Sequence, residues 1–243
     1  MNKLSMAIRY ECTTSFKYIW VFYVCVFGAI SAISAIIYIS TGDVDKIGTS
    51  GLEFNSMIYV GILGVLGFKE DFKMMIQNGF TRKYIYLANL ALFAFTSAIL
   101  AAVDTAVGNA LHAVAGGYSS VFGGLYGYGH SLLINWLWLF LTYMLVCCLL
   151  YLAILIINKI GKAASIYLGI GLGVTFVLII PVVLKYVLPK GFTESMADFI
   201  IKAIGLAAED TVNFLYPILF LALAAGIFGI ASYLIIRRTE LKV

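Results

Sequence analysis

Six long apolar runs, separated by short charged segments, make up most of this chain. A membrane-spanning helix needs roughly 20 apolar residues, because every backbone amide must be hydrogen-bonded within the segment where water is absent. The runs are continuous and do not alternate polar with apolar residues, which excludes a transmembrane β-barrel. The pattern predicts an all-α integral membrane protein whose single domain, 1–243, has six transmembrane helices at 18–40, 52–68, 84–107, 132–157, 163–187 and 212–236.

The basic residues between the runs predict an orientation. Basic side chains tend to stay on the cytoplasmic side during membrane insertion. Twelve of the sixteen Lys and Arg residues fall in four segments on the same predicted side: the N-terminus, 69–83, 159–162 and the tail after 236. We therefore expect both termini to be cytoplasmic. A cleaved signal peptide is the alternative for the first run, which at 18–40 is longer than an ordinary signal sequence.

Composition narrows the class of protein. Hydrophobic residues make up 63% of the chain and charged residues 12%, which is too little polar surface for a soluble domain of this size. The net charge of +4 is spread over four short segments, so it indicates topology and no nucleic-acid partner. Only two histidines are present, and we predict no metal site and no bound cofactor.

The N-terminal segment, residues 1–17, has its own pattern. Apolar residues recur there at four-residue spacing, at Leu4, Ile8, Cys12 and Phe16. This spacing predicts an amphipathic interfacial helix that lies along the inner leaflet before the chain turns into the first span. A disordered basic N-terminus is the alternative.

The predicted cytoplasmic loop 69–83 holds the most informative pattern for function. Apolar side chains follow one helical stripe there, at Phe68, Phe72, Met75 and Ile76. Gly79 then offers a left-handed end for the helix, and Arg82 stands at the start of the next span. A short charged helix with an exposed apolar stripe is suited to docking in a partner's groove. The alternative is that the stripe lies in the membrane interface.

The segment 67–84 resembles the coupling-helix region of ABC-2 type permeases, in which a charged helix ends in a small residue followed by a basic residue before the third span. Six spans, cytoplasmic termini, an amphipathic N-terminal segment and an outer insertion between spans five and six also resemble that family. The resemblance implies that Phe72, Met75, Ile76, Gly79 and Arg82 couple this chain to an ATPase.

Partners and location follow from the same resemblance. It implies two copies of a separate ABC ATPase subunit that bind ATP and Mg²⁺, a second permease that is identical or homologous, and a bacterial cell membrane. The chain itself lacks a Gly-x-x-x-x-Gly-Lys-Ser/Thr phosphate loop, which agrees with hydrolysis on another subunit. We expect no catalytic site on this chain.

Two further sets of residues are assigned by the resemblance together with their spacing. Gly169 and Gly173 stand at close-packing spacing. The resemblance implies that they lie at a dimer seam together with Gly61 and Gly64. The segment 191–211 has an amphipathic pattern that resembles the family's outer gate, with Phe199, Ile200 and Ile204 on its apolar face. Packing within one chain is the alternative for the glycines, and an extracellular surface helix for the outer segment.

Polar residues near the end of the third span are the remaining candidates. Asp104 and His112 share one broad helical face, and counting from Tyr84 at ~1.5 Å per residue puts Asp104 about 30 Å along the span. This depth favours solvation at the outer interface over a proton relay.

The apolar, aromatic-rich spans favour a hydrophobic or amphipathic cargo, with a peptide as the first candidate. An intramembrane enzyme is disfavoured, because neither a Gly-x-Ser-x-Gly nor a His-Glu-x-x-His motif is present. The alternative function is a secondary transporter or channel without an ATPase.

Overall fold

The computed structural model of the protein describes residues 3–42, 51–69, 71–114, 118–175, 190–206 and 212–238. Nearly all of these residues are helical. The helices are α1 Lys3–Thr41, α2 Leu52–Lys69, α3 Asp71–Gln77, α4 Arg82–Val114, α5 Val121–Tyr126, α6 Leu132–Ile160, α7 Lys162–Val174, α8 Lys190–Ile204 and α9 Leu215–Ile236. Within the described ranges, strand pairing is limited to an isolated bridge between Leu206 and Val212. The all-α fold predicted from the sequence is confirmed.

Helices α1, α4, α6 and α9 are long and apolar enough to cross a membrane. α2 is apolar but shorter, at 18 residues, or ~27 Å, which is close to the ~30 Å thickness of a bilayer's hydrocarbon core. α7 covers only the first half of the predicted fifth span, and the second half, 176–187, lies outside the described residues. The six-span count and the orientation therefore stay predictions.

The N-terminal segment continues directly into the first span. α1 is one helix of 39 residues, without the turn expected between an interfacial helix and the first span. Neither Gly nor Pro occurs between residues 3 and 27 to break it. Its buried side chains recur every four residues and form one row along the helix: Ala7, Glu11, Ser15, Ile19 and Tyr23. The prediction of a separate interfacial helix, and the alternative of a disordered N-terminus, are both wrong because this row packs against the bundle along its whole length.

α6 is the central helix of the bundle. It packs against α2, α4, α7 and α9, while α1 packs along α4. Asn89 of α4 binds the carbonyl of Gly67 near the end of α2, whereas Asp104 further along α4 binds Tyr143 in the first half of α6. α4 is thus antiparallel to α2 and α6. This alternation is the one that the six-span topology requires.

The two ends of the bundle differ in composition. At one end, the Arg82 side chain at the start of α4 meets Arg237 at the end of α9, and we call this the basic end. At the other end, the loop 118–130, which includes α5, lies over the start of α2 and contacts α4. We call this loop the cap.

Candidate functional site

A carboxylate is buried inside the bundle, where three helices meet. Asp104 of α4 is 1% exposed. Its Oδ1 accepts a hydrogen bond of 2.8 Å from the Tyr23 hydroxyl of α1, and its Oδ2 accepts one of 2.5 Å from the Tyr143 hydroxyl of α6. Each oxygen of the carboxylate therefore has a hydroxyl donor. The prediction that Asp104 is solvated at the outer interface is therefore wrong.

The helices around Asp104 extend further than the apolar runs in the sequence indicate. The predicted third span ends at residue 107, but α4 continues to Val114, ten residues and ~15 Å beyond Asp104. α1 likewise continues to Thr41, well past Tyr23. Asp104 consequently lies within the packed part of the bundle, where its carboxylate is satisfied by the two tyrosines in place of water.

A second carboxylate lies close by, under the cap. Glu53, in the first turn of α2, is 1% exposed. Its carboxylate lies beside its own backbone N–H and that of Val121 at the start of α5, and its Oε2 folds back over Gly51. Oε2 is buried and has no hydrogen-bond partner among the described residues. Such an oxygen is costly to bury, especially if it is charged.

Neutral hydroxyls complete the surroundings of the two acids. The Ser56 side chain is fully buried beside Asp104 and Tyr23, and within the described part of the chain its hydroxyl has no hydrogen bond of ordinary geometry. Among the described residues, neither carboxylate has a Lys, Arg or His partner. We define the acid pocket as Glu53, Ser56 and Asp104 with Tyr23 and Tyr143.

The cap closes this pocket through Tyr118. The Tyr118 hydroxyl accepts a 3.1 Å hydrogen bond from the backbone N–H of Leu52, next to Glu53. Burial raises the pKa of Tyr118 to about 12, so this hydroxyl keeps its proton at neutral pH. A buried, neutral tyrosine therefore separates the two acids from the end of the bundle.

Tyr128 holds the cap on α4. Its hydroxyl donates to the Tyr118 carbonyl at 2.9 Å and accepts from the Ser120 N–H at 2.6 Å. Its ring stacks on the imidazole of His112 with 3.5 Å between centroids, and the His112 Nδ1 lies 3.2 Å from the Tyr118 carbonyl. His112 is thus part of the contact that fixes the cap. The described residues contain no group of three metal-ligating side chains.

The predicted outer gate is joined to the cap. The Tyr126 hydroxyl of α5 donates a 2.6 Å hydrogen bond to the carbonyl of Ile204, the last residue of α8, and its ring packs edge-on against Phe214 before α9. Phe199 and Ile200 are exposed, so α8 presents a bare apolar surface. The gate role of these three α8 residues stays a prediction.

At the basic end, the predicted apolar stripe of α3 faces inward. Phe72 and Met75 are buried against this chain's own core, and Ile76 is half-buried beside them. The expectation that this stripe is exposed for docking is wrong, because the stripe is already covered by the bundle. The exposed side of α3 carries Met74 and Gln77 instead. Coupling to an ATPase stays a prediction, and it requires this opposite face.

The end of α3 has the left-handed glycine conformation that the sequence predicts. Gly79 has φ +73°, and the Gly79 and Phe80 N–H groups bind the carbonyls of Ile76 and Met75 at 3.0 Å each. This is the left-handed helix end expected from the sequence. Arg82 then donates a 3.0 Å hydrogen bond from its guanidinium to the carbonyl of Arg237. Arg82 therefore joins the start of α4 to the end of α9.

The four glycines assigned to a dimer seam fall into two groups. A Cβ on Gly64 would lie 2.7 Å from the Cys147 carbonyl oxygen, and one on Gly61 would lie 2.8 Å from Leu150, so both glycines let α2 approach α6 within the chain. Gly169 and Gly173 of α7 have nothing within 4 Å of that position. A seam at α7 is compatible with this open surface, whereas the need for Gly61 and Gly64 is explained within one chain.

Sequence reasoning missed most of the acid pocket. Of its five residues, the pattern of the sequence indicates only Asp104; Tyr23, Glu53, Ser56 and Tyr143 lie inside or at the ends of apolar runs without a distinguishing motif. The available signal was the presence of hydroxyl side chains within three apolar runs, since such groups need partners in a bilayer. No protein-family model, curated protein or solved structure matches this chain.

Proposed function

We propose that this chain is the membrane subunit of an ATP-driven exporter of the ABC-2 type. It moves a hydrophobic or amphipathic cargo, with a peptide as the first candidate, out of a bacterial cell. Two ATPase subunits, which carry ATP and Mg²⁺, supply the energy, and a second permease, identical or homologous, completes the transporter. The chain itself has no catalytic role.

The observation that carries this proposal is the seating of α3 at the basic end. Phe72 and Met75 anchor one face of the helix in the core, while Met74 is 38% exposed on the other face. A helix anchored in this way moves together with the helices beneath it, because packed interiors transmit displacement. An ATPase that grips Met74 and Gln77 in one nucleotide state would therefore shift the bundle.

Arg82 supports the same mechanism. Its hydrogen bond to the Arg237 carbonyl ties the start of α4, directly after α3, to the end of α9. A second link lies nearby, where the Tyr86 hydroxyl donates to the Gly229 carbonyl at 2.9 Å. Motion of α3 would thus reach both α4 and α9.

The outer surface of α2 supports the cargo class. A groove along α2 is lined only by apolar side chains: Phe54, Met57, Ile58, Gly61, Ile62, Val65, Leu66 and Leu150. Such a surface suits a hydrophobic ligand better than a sugar or an ion.

The test is co-purification of the full chain from its native membrane in mild detergent. We expect a phosphate-loop ATPase at equal stoichiometry. Met74→Glu should lower its recovery roughly tenfold, since about 1.4 kcal/mol is lost when an unpaired charge enters the contact. Met6→Glu is the matched control, because Met6 is also a methionine of similar exposure, 45%, near the start of α1.

Each outcome has a distinct meaning. Absence of any ATPase beside an intact chain would overturn the exporter proposal. Recovery that Met6→Glu abolishes and Met74→Glu does not would retain the exporter but reject α3 as the docking helix.

A secondary transporter is the second candidate, and one observation favours it. Ion-coupled carriers use carboxylates within the membrane-embedded part of the chain, and Glu53 and Asp104 are two such groups. This candidate becomes the leading one if no ATPase accompanies the chain.

A further inference from the structure

The acid pocket differs from an ordinary structural polar cluster in its charge balance. Each oxygen of Asp104 has a hydroxyl donor, from Tyr23 and Tyr143. A carboxylate that accepts a donor at each oxygen is stabilised in its ionised form. These two donors make Asp104 the better placed of the two acids to carry a negative charge.

Glu53 is held differently. Among the described residues, the groups nearest its carboxylate are two backbone N–H groups, its own and that of Val121, and none of these residues donates to the buried Oε2. An ionised Glu53 would leave part of its charge uncompensated in the interior, next to the charge on Asp104. A protonated Glu53 removes this repulsion and turns the orphan oxygen into a hydroxyl donor.

The groups that face the two acids offer no positive charge to change this balance. Tyr23 faces them from α1, Tyr143 from α6 and Tyr118 from the cap, and all three are neutral hydroxyls. On α4 itself, the nearest imidazole is His112, eight residues and ~12 Å further along, where it stacks on Tyr128. The described residues thus leave one proton as the simplest means of neutralising the pair.

We propose that Glu53 is a proton-binding site, which holds a proton under the cap while Asp104 stays ionised. A proton fits better than a metal ion, because the described residues hold no third acidic, histidine or cysteine ligand.

Proton exchange has one short route in this arrangement. Among the described residues, Tyr118 and Val121 of the cap cover Glu53 in the first turn of α2, so the proposal has the proton enter and leave when the cap lifts. Loss of the proton puts two like charges in a medium of low dielectric constant, which favours the lifted cap. The site does not depend on the exporter proposal, and it would operate in either candidate function.

Infrared spectroscopy of the full chain in lipid nanodiscs tests the site. A buried protonated carboxylic acid gives a carbonyl stretch that is separate from the amide bands and shifts in D₂O. We expect this band at neutral pH in the wild-type chain, its complete loss in Glu53→Gln and its retention in Asp104→Asn. Glu194→Gln, which changes an exposed glutamate of α8, is the matched control and should keep the band.

Three results would overturn the proposal. The first is absence of the band from the wild-type chain at neutral pH. The second is loss of the band in Asp104→Asn while Glu53→Gln keeps it, and the third is a band that emerges only when sodium is removed. The first and third results are read from the wild-type chain alone, so the test holds even if a variant misfolds. ATPase recovery is measured separately, so failure of this site is distinguishable from failure of the exporter proposal.

Discussion

α6 and α7 are consecutive apolar helices joined at Gly161, yet they have opposite surroundings. α6 is enclosed by α2, α4 and α9, whereas α7 packs mainly on α6 and is exposed along most of its described length. The buried face of α6 carries polar and sulfur-containing side chains as well as apolar ones, including Asn135, Tyr143, Cys147 and Tyr151. The exposed surface of α7 is formed by Ile166, Tyr167, Leu168 and Ile170.

The difference teaches that hydropathy does not decide where a membrane helix packs. Lipid tails are as apolar as leucine, so an apolar side chain gains little by leaving lipid for another helix. Close backbone approach and interhelical hydrogen bonds are what hold α6 in place, through Gly64 against Cys147 and through Tyr143 on Asp104. α7 has small residues, but in the described structure nothing approaches Gly169, Gly171 or Gly173.

The largest difference in stability is expected when leucine replaces a glycine packed between α2 and α6 and, for comparison, a glycine on the open surface of α7. In Gly64→Leu the first side-chain carbon alone would lie 2.7 Å from the Cys147 carbonyl oxygen, which is backbone and cannot rotate away. We expect α2 and α6 to separate, with a loss of about 3 kcal/mol or more in the free energy of unfolding. Reversible unfolding in nanodiscs measures this loss.

The matched control is Gly171→Leu, on the opposite side of α7 from Gly169 and Gly173. Nothing lies within 4 Å of the added carbon, so the free energy of unfolding should not fall and should rise by up to about 1 kcal/mol, because leucine loses less chain entropy than glycine in a helix. Equal losses in the two variants would mean that α7 is packed as tightly as α6, and the comparison would fail.

A smaller contrast is expected from removing one tyrosine hydroxyl in each helix. Tyr143→Phe takes away one of the two donors to the Asp104 carboxylate, at a cost of about 1.5–3 kcal/mol for a hydrogen bond to a charged group. Tyr167→Phe in α7 removes a hydroxyl from a side chain that is 76% exposed, and we expect almost no change. Comparison of the two unfolding midpoints checks this.

An unchanged midpoint in Tyr143→Phe would show that Asp104 is satisfied without this donor. In that case the polar contact would not be what holds α6 to α4, and close packing at Gly64 alone would have to explain the position of α6.

Features that depend only on residues close together in the sequence could be predicted. The helix end at Gly79 needed only the glycine's tolerance of positive φ, and the structure has φ +73° there. The all-helical class needed only the length and continuity of the apolar runs. Neither feature depends on how the helices are arranged in space.

Features that depend on how the helices are arranged in space could not be predicted from the sequence. An apolar stripe on α3 indicates a covered face but does not identify what covers it, and Phe72 proved to be covered by this chain itself. The depth of Asp104 depended on how far α4 continues beyond the apolar run. The place of Gly61 and Gly64 depended on which helix is the neighbour of α2, and sequence spacing alone does not contain that information.

The smallest contrast concerns the joint between α6 and α7. Gly161 has φ +96° and ψ 159°, a conformation that side chains rarely adopt, and no atom lies within 4 Å of an added Cβ. In Gly161→Ala only backbone strain opposes the change, so we expect a loss of about 1–2 kcal/mol. Gly169→Ala lies inside helical α7 with open space around it and should instead gain about 0.5–1 kcal/mol, because alanine loses less chain entropy. Changes of opposite sign in the two free energies of unfolding would show that the backbone at Gly161 is constrained, whereas no other surface packs on Gly169 of α7. A loss in Gly169→Ala would mean that another surface, such as a second copy of the chain, already packs against that glycine.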